Sequence, residues 1–249
     1  MEKKKEAVID IENLQKSFGS NHVLIDINLK MFRGENLVVL GRSGTGKSVL
    51  IKCLVRLIDS DKGKIIVFGE DVNGLNDDNL NKLRQKIGFL FQSSALYDSM
   101  TVRENLEFPL RLLPSEKKKD MKSRVHEALK NVGLEEAIDK MPSELSGGMR
   151  KRIGLARTLI LHPEIILYDE PTTGLDPITS MEISHLILDV QKKYNTTSMI
   201  ITHDINCARI TANRMVMLKD GKLAEEGTYE DLEKSKDKQI RSFFETVNK

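Results

Sequence analysis

The segment Gly41–Ser48 limits most strongly what this chain can fold into, because it reads Gly-Arg-Ser-Gly-Thr-Gly-Lys-Ser. It matches the phosphate-binding loop pattern G-x-x-x-x-G-K-[ST] at every fixed position. An apolar run, residues 37–40, precedes the loop, and a helical pattern, residues 49–58, follows it. The motif therefore lies between a predicted strand and a predicted helix, which is the context it requires in an α/β fold.

The residue types in this loop suit the binding of a nucleotide polyphosphate. Glycines let the backbone curl so that N–H groups point at phosphate oxygens, and the positive N-terminal end of the following helix adds to the attraction. The Lys47 ammonium can bind the β- and γ-phosphates, and the Ser48 hydroxyl can bind Mg²⁺. The pattern predicts ATP and Mg²⁺ as cofactors, held by Gly41, Arg42, Ser43, Gly44, Thr45, Gly46, Lys47 and Ser48. The loop alone does not distinguish kinases, GTPases and transport ATPases.

Further short apolar runs predict the strands of an α/β sheet. They cover residues 8–14, 65–68, 87–91, 165–168, 199–202 and 215–218. Several are continuously apolar, which is typical of strands buried on both faces. Asp220-Gly221 lies between two strand-like runs and predicts a hairpin turn.

The middle of the chain, from about residue 95 to residue 162, is predicted to be mostly helical. The segment Thr101–Glu104 fits a capping box at a helix start, and Pro114-Ser115 predicts a break. A charged segment, residues 116–122, is interpreted as the solvated start of a second helix, which Gly133 can end. We therefore expect a helical insertion within an α/β core.

The composition gives no support for a nucleic-acid-binding protein, a disulfide-bonded or metal-binding protein, or a membrane-spanning protein. The net charge is +2, from 39 basic and 37 acidic residues, which gives no support for nucleic acid as a partner. Cys53 and Cys207 form no metal-binding or disulfide pattern, which indicates a reduced cytosolic protein. No stretch approaches the roughly 20 apolar residues that cross a bilayer, so we expect a chain that is soluble by itself.

Two adjacent carboxylates, Asp169 and Glu170, follow the apolar run 165–168. Because side chains alternate along a strand, we expect the two to point in different directions. Asp169 can hold Mg²⁺ through water, and Glu170 can face the γ-phosphate and polarise the attacking water. The alternative is that both carboxylates cap the turn that begins at Pro171.

A serine and two glycines, Ser146-Gly147-Gly148, precede a run with apolar residues at helical spacing. This arrangement predicts a second anion-binding site at a helix N-terminus. The basic run Arg150–Arg152 either reinforces the positive field or coats a solvated face, and the second interpretation is preferred.

These motifs in this order resemble the nucleotide-binding domain of an ABC (ATP-binding cassette) ATPase over nearly the whole chain. The resemblance implies a P-loop NTPase (RecA-like) core, residues 1–94 and 163–249, with an antiparallel β subdomain and an inserted α-helical subdomain, residues 95–162. It implies that Glu170, His203 and Gln92 are catalytic, His203 contacting the γ-phosphate, and that Mg²⁺ is bound by Ser48, Gln92 and Asp169. Phe18 corresponds to the aromatic residue that stacks on adenine, and Asp176 belongs to the D-loop.

The family pattern also implies that two copies stack head to tail, with each ATP between Gly41–Ser48 of one copy and Ser146-Gly147-Gly148 of the other.

Met149 stands where many members have Gln, which narrows the choice of subfamily. Residues 91–105, Leu145–Met149 and 176–179 resemble the bacterial Mla-type phospholipid transport ATPases. That resemblance implies a membrane permease and an MCE-domain lipid-binding protein as partners, and a location at the cytoplasmic face of the inner membrane.

Three classes of function remain to be compared. A transporter subunit agrees with a single cassette and no membrane span, whereas a non-transport ABC protein commonly has two cassettes or long coiled coils. A P-loop kinase needs no second anion site. Among transporters, phospholipid is the expected cargo, and a solute importer for amino acids, peptides or metals is the alternative.

Overall fold

Apolar segments of the sequence form strands close to their predicted positions in the computed structural model, which describes residues 6–112 and 118–245. The strands are β1 Ala7–Phe18, β2 Asn21–Phe32, β3 Asn36–Leu40, β4 Lys62–Val67, β5 Glu70–Asp71, β6 Ile87–Leu90, β7 Ile165–Asp169, β8 Thr197–Thr202, β9 Arg214–Lys219 and β10 Lys222–Gly227. The helices are α1 Lys47–Leu54, α2 Asp77–Gln85, α3 Val102–Arg111, α4 Lys118–Val132, α5 Gly147–Leu159, α6 Pro177–Tyr194, α7 Ile205–Thr211, α8 Tyr229–Glu233 and α9 Lys238–Glu245.

Within the described residues, the larger sheet has six strands in the order β10-β9-β3-β8-β7-β6. The strands from β9 to β6 run parallel, and β10 pairs antiparallel with β9 through the predicted hairpin at Asp220-Gly221. Both turn residues have positive φ, as this type of turn requires. Because β3, β8, β7 and β6 are parallel neighbours, their carboxyl ends meet at one edge of the sheet, where ligands bind in such folds.

Apolar side chains of this sheet alternate between two cores. Val38, Ile166 and Ile200 face the core that contains the central helices, whereas Val39 and Ile201 face the core that contains α1 and the smaller sheet. Strands β3, β7 and β8 are therefore buried along their whole length, which confirms the interpretation of their continuous apolar runs.

A smaller antiparallel sheet of the described chain has the order β2-β1-β4-β5. Strand β2 is not among the strands that the apolar runs predict, so the predicted strand set is incomplete here. Leu24, Ile27, Leu29 and Met31 are buried among more exposed neighbours, which is the alternation of a strand with one covered face. Asp26 has φ 54°, and this irregularity interrupts the alternation that would have revealed the strand.

The predicted helical insertion is present as α3, α4 and α5. Thr101 and Glu104 form a reciprocal capping box at the start of α3, as predicted. Helix α4 ends at Val132, and Gly133 follows with φ 65°, as a helix-ending glycine should. The predicted break at Pro114-Ser115 lies outside the described residues, and the subdomain boundaries at residues 95 and 162 stay a prediction.

The expected charged helical tail, residues 231–249, contains α8 and α9 in its described part. Ile240 and Phe244 of α9 are buried in the core that also holds the central helices.

No helix within residues 6–112 or 118–245 combines the length and the apolar character that crossing a membrane requires.

Candidate active site

The loop between β3 and α1 is shaped by its glycines and closed by its lysine. Gly44 and Gly46 have φ 81° and 99°, conformations that favour glycine. A Cβ on Gly46 would lie 2.8 Å from the Val23 side chain, so the β2 strand packs directly against the loop. Lys47 is buried, and its Nζ donates hydrogen bonds to the carbonyls of Gly41 at 2.7 Å and Arg42 at 3.0 Å. The loop therefore curls around its own ammonium group.

Ser48 and Asp169 meet although they are far apart in sequence. The Ser48 Oγ donates to Asp169 Oδ1 at 2.8 Å, because β3 and β7 end at the same edge of the sheet. Burial raises the pKa of the Asp169 carboxyl, although the hydrogen bond from Ser48 acts in the opposite direction. A hydroxyl and a carboxylate side by side are hard oxygen ligands of the kind that Mg²⁺ prefers, so these residues fit that cation.

Glu170 contacts the phosphate loop and the end of β8 at once. Its Oε1 lies 3.2 Å from Lys47 Nζ, and its Oε2 lies 2.8 Å from His203 Nδ1. Thr173 Oγ1 also donates to Oε2, at 3.3 Å. The Glu170 backbone has φ 50°, and its N–H donates to the Ile201 carbonyl at 2.9 Å. Asp169 and Glu170 thus turn toward different partners, as strand alternation predicts.

Gln92 follows β6 at the same edge of the sheet, and its side chain is exposed. Its backbone carbonyl accepts a hydrogen bond from Lys151 Nζ, which also reaches the Glu170 carbonyl at 3.3 Å. Lys151 is 5% exposed, so the expectation that Arg150–Arg152 coat a solvated face is wrong for this residue. Arg150 is exposed, and Arg152 pairs with Glu182 at 2.8 Å.

Sequence reasoning missed the burial of Lys151 because this residue stands in a basic run, and such runs usually lie in solvent. One signal was available in the predicted helix. A glycine at position 154 inside a helix often marks a close packing contact. A Cβ there would lie 2.9 Å from Ser94 Cβ, so this face of α5 is covered by the chain after Gln92.

Ser146 and its glycines begin α5. The Ser146 side chain accepts a hydrogen bond from the Met149 N–H at 3.2 Å, which makes it the N-cap. Gly148 packs against Thr179, since a Cβ on it would lie 2.5 Å from the Thr179 Cγ2 atom. Asp176 similarly caps α6 by accepting from Ile178 and Thr179. Ser146 and Asp176 thus cap their own helices, and Gly148 packs the start of α5 against the start of α6.

Phe18 stands at the end of β1, next to the turn into β2, and is 50% exposed. The Lys16 ammonium lies 5.3 Å from the centre of its ring. Since Val23 of the following strand packs on Gly46, the hairpin that carries Phe18 is fixed to the phosphate loop. An exposed aromatic ring beside such a loop can stack on a nucleotide base.

The fold and the cluster at the sheet edge define a P-loop ATPase. The family model described as ABC transporter matches residues 24–173, more than half of the chain, and the chain therefore belongs to the ABC transporter family. A solved dimer of an ATP-binding cassette, in a post-hydrolysis state with ADP and inorganic phosphate, superposes with a TM-score of 0.81 at 33% identity. The alignment covers 89% of this chain and 98% of that one. The chain is accordingly an ATP-hydrolysing ABC ATPase, as predicted.

Other relatives extend the comparison. The probable ribonucleotide transport ATP-binding protein mkl of Mycobacterium leprae is 42% identical over 94% of this chain. A methionine import ATP-binding protein of Rhizobium johnstonii is 39% identical over 89% of it. This chain spans 68% of the first relative and 61% of the second. A component of the cbiONQ transporter complex of Clostridium perfringens has a TM-score of 0.84 at 28% identity, covering 98% of this chain and 94% of that one.

Proposed function

We propose that this chain drives the movement of phospholipid between the membranes of a bacterial envelope, acting through a separate permease. Family membership and relatives support the broader role of an ATP-binding transporter subunit. The assignment to lipid rests on the resemblance of residues 91–105, Leu145–Met149 and 176–179 to the Mla-type ATPases. An MCE-domain lipid-binding protein is the further proposed partner, and the cytoplasmic face of the inner membrane is the proposed location.

Nucleotide binding is assigned to the loop Gly41–Ser48 and to Phe18. The Lys47 ammonium is already surrounded by the loop carbonyls of Gly41 and Arg42, so it is held where phosphate oxygens would enter. Backbone N–H groups of the loop and the start of α1 supply the remaining donors. The exposed ring of Phe18 stacks on the adenine in this proposal. The Lys16 ammonium lies 5.3 Å from the centre of the same ring.

Hydrolysis is assigned to Glu170, with His203 and Gln92 beside it. The Glu170 carboxylate lies against both Lys47 and His203, which supports a role for it as proton acceptor beside the proposed γ-phosphate ligand Lys47. We assign to it the proton that the attacking water loses. His203 is 51% exposed at its side chain, so it can contact both Glu170 and a phosphate oxygen.

The proposed Mg²⁺ ligands are Ser48 and Asp169, whose oxygens are 2.8 Å apart, together with Gln92. The cation would neutralise charge on the phosphates as the terminal phosphoryl group is transferred. The protein's own contribution is the fixed spacing of these ligands, because β3 and β7 end at the same edge of the sheet, on either side of β8.

A second copy of the chain completes the site in this proposal. Ser146 caps a helix of thirteen residues that begins at Gly147, and the N-terminal end of this helix attracts anions. Ser146 and Gly147 are exposed, so a second copy can reach them. A head-to-tail pair would place them on the ATP held by the other copy, with Asp176 at the junction. The permease would dock on residues 92–100, where Tyr97 is 45% exposed.

A solute importer is the second candidate, because relatives are named for methionine import and ribonucleotide transport. Purification of the native membrane complex distinguishes the two. A co-purifying MCE-domain protein with bound phospholipid supports lipid transport, whereas a solute-binding protein contradicts it.

The purified complex can then be reconstituted in vesicles that contain a fluorescent phospholipid. ATP-dependent transfer of that lipid is expected from the native complex and not from a complex carrying Glu170→Gln. Equal transfer without ATP, or none under any condition while a solute is taken up, would refute the lipid assignment.

A further inference from the structure

Lys151 is a buried cation to which the proposed hydrolysis mechanism assigns no role. It stands on α5 and is 5% exposed, whereas Arg150 beside it is exposed. Burial of an ammonium group is unfavourable unless hydrogen bonds and opposite charges compensate it. Here the compensation comes from functional segments, since Nζ donates to the carbonyls of Gln92 and Glu170. One side chain therefore joins α5 to the ends of β6 and β7.

Other contacts hold the same face of α5 against the chain after Gln92. Arg157 donates to the carbonyls of Ser94 at 3.0 Å and Ala95 at 2.8 Å, and Gly154 lets Ser94 approach closely. Positions 151, 154 and 157 recur every three residues and so lie near one another on the helix surface. Ser94 and Ala95 have φ 63° and 47°, a conformation that side chains rarely adopt and that these contacts stabilise.

The Glu170 peptide is fixed on two sides. Its N–H donates to the Ile201 carbonyl of β8 at 2.9 Å, and its carbonyl accepts from Lys151 at 3.3 Å. Glu170 itself has a positive φ, so its carboxylate direction depends on contacts that hold this backbone conformation. Asp169 and Glu170 attract the Lys151 ammonium, although burial is the larger influence and lowers its pKa.

We propose that Lys151 is a positioning residue for ATP hydrolysis. It fixes the position of the Glu170 backbone relative to α5, the helix that Ser146 caps. The inference rests on the proposed role of Glu170 as the proton acceptor. Lys151 touches neither nucleotide nor water in this role, and it acts by keeping the Glu170 carboxylate beside Lys47 and His203. A shift of α5 would then change the hydrolysis rate through this contact.

The first test compares Lys151→Met with the matched control Arg150→Met in the full chain. Methionine keeps the apolar stem and removes the donor, and Arg150 is the exposed neighbour. We expect kcat for ATP hydrolysis to fall roughly 10- to 100-fold in Lys151→Met, as displacement of a catalytic group does. ATP affinity should stay within about twofold of the native value, because Lys151 does not touch the nucleotide in this proposal. Arg150→Met should hydrolyse ATP at the native rate, and an equal loss in both variants would overturn the inference.

The second test asks whether Lys151 acts through Glu170. Single-turnover ATP cleavage is measured for the native chain, Lys151→Met, Glu170→Gln and the double variant. If Lys151 only positions Glu170, its substitution should have little further effect once Glu170 is Gln. A loss of the same size in both backgrounds would show a general structural role and overturn the proposal. If Lys151→Met fails to fold, Lys151→Gln takes its place in the same cycle.

The two hypotheses fail in different ways. Native cleavage by Glu170→Gln would overturn the role of Glu170, and with it the inference. Slow cleavage by Glu170→Gln together with native cleavage by Lys151→Met would overturn only the positioning role.

Discussion

The Lys47 ammonium lies 3.2 Å from the Glu170 carboxylate, and both side chains are buried. The proposed phosphate-binding group and the proposed proton acceptor are therefore adjacent in the folded chain. The strands that precede them, β3 and β7, are separated in the sheet by β8, and His203 follows β8 and contacts the other oxygen of Glu170. The ends of three neighbouring strands thus bring these side chains together in one cluster. Single substitutions can test the role of each side chain separately.

Glu170→Gln should keep ATP binding and lose hydrolysis by roughly 10²–10⁴-fold, the contribution of a general base. Glutamine has the same shape but cannot accept the proton. Phosphate release gives the rate, and equilibrium binding of a fluorescent ATP analogue gives the affinity. Glu164→Gln is the matched control, because Glu164 is an exposed residue just before β7 that pairs with Arg33. Turnover near the native rate in Glu170→Gln would contradict the assignment.

Lys47→Ala should weaken ATP binding by about 10- to 100-fold, since hydrogen bonds to charged groups contribute about 1.5–3 kcal/mol. The loss has two sources: the phosphates lose a cation, and the carbonyls of Gly41 and Arg42 lose their donor. Lys82→Ala on the exposed surface of α2 serves as the control. An unchanged affinity, measured by calorimetric titration, would count against the phosphate-binding role.

Asp169→Asn should stabilise the fold while it removes Mg²⁺-dependent hydrolysis. Burial raises the pKa of Asp169, so the folded chain binds this proton more tightly than the unfolded chain does. The stability contributed by that proton is present below the unfolded pKa and is lost as pH rises through the folded pKa. Above the folded pKa the ionised carboxylate is therefore unfavourable in the folded chain, and asparagine removes the charge while it still accepts from Ser48.

The measurement is the melting temperature of Asp169→Asn at neutral pH without Mg²⁺, against the exposed control Asp189→Asn. A gain of about 1 kcal/mol corresponds to a rise of about 2–4 °C for a domain of this size. The advantage over the native chain should shrink as pH falls and native Asp169 becomes protonated. A lower melting temperature than the native chain at neutral pH would contradict the sign of this argument.

Ser146→Arg should prevent ATP-dependent pairing of two chains while each chain stays folded. The large cation would occupy the space that the start of α5 offers to the phosphates of a second copy. Sedimentation of the Glu170→Gln background with ATP detects the dimer. Ser143→Arg, at an exposed serine just before the same helix, should leave pairing intact. Continued dimerisation of Ser146→Arg would contradict the composite site.

Much of this site could be predicted because its signals are local. The loop Gly41–Ser48, the carboxylates at the end of β7 and the serine that caps α5 each lie in a short segment whose spacing predicts its chemistry. The capping box at Thr101 and the turn at Asp220-Gly221 are local in the same sense, and both formed as expected. The strand β2 was missed because a backbone irregularity interrupts its alternation.

The sequence by itself therefore determined the class of fold, and it predicted the nucleotide loop and the two carboxylates, since short-range spacing is enough to indicate them. The tertiary structure alone decided that the Glu170 carboxylate meets both Lys47 and His203, because those contacts depend on the order of β3, β8 and β7 in the sheet. It also decided that Lys151 is buried among backbone carbonyls. A basic residue in a basic run carries no local sign of burial, and only the packing of α5 against two strand ends removes it from water.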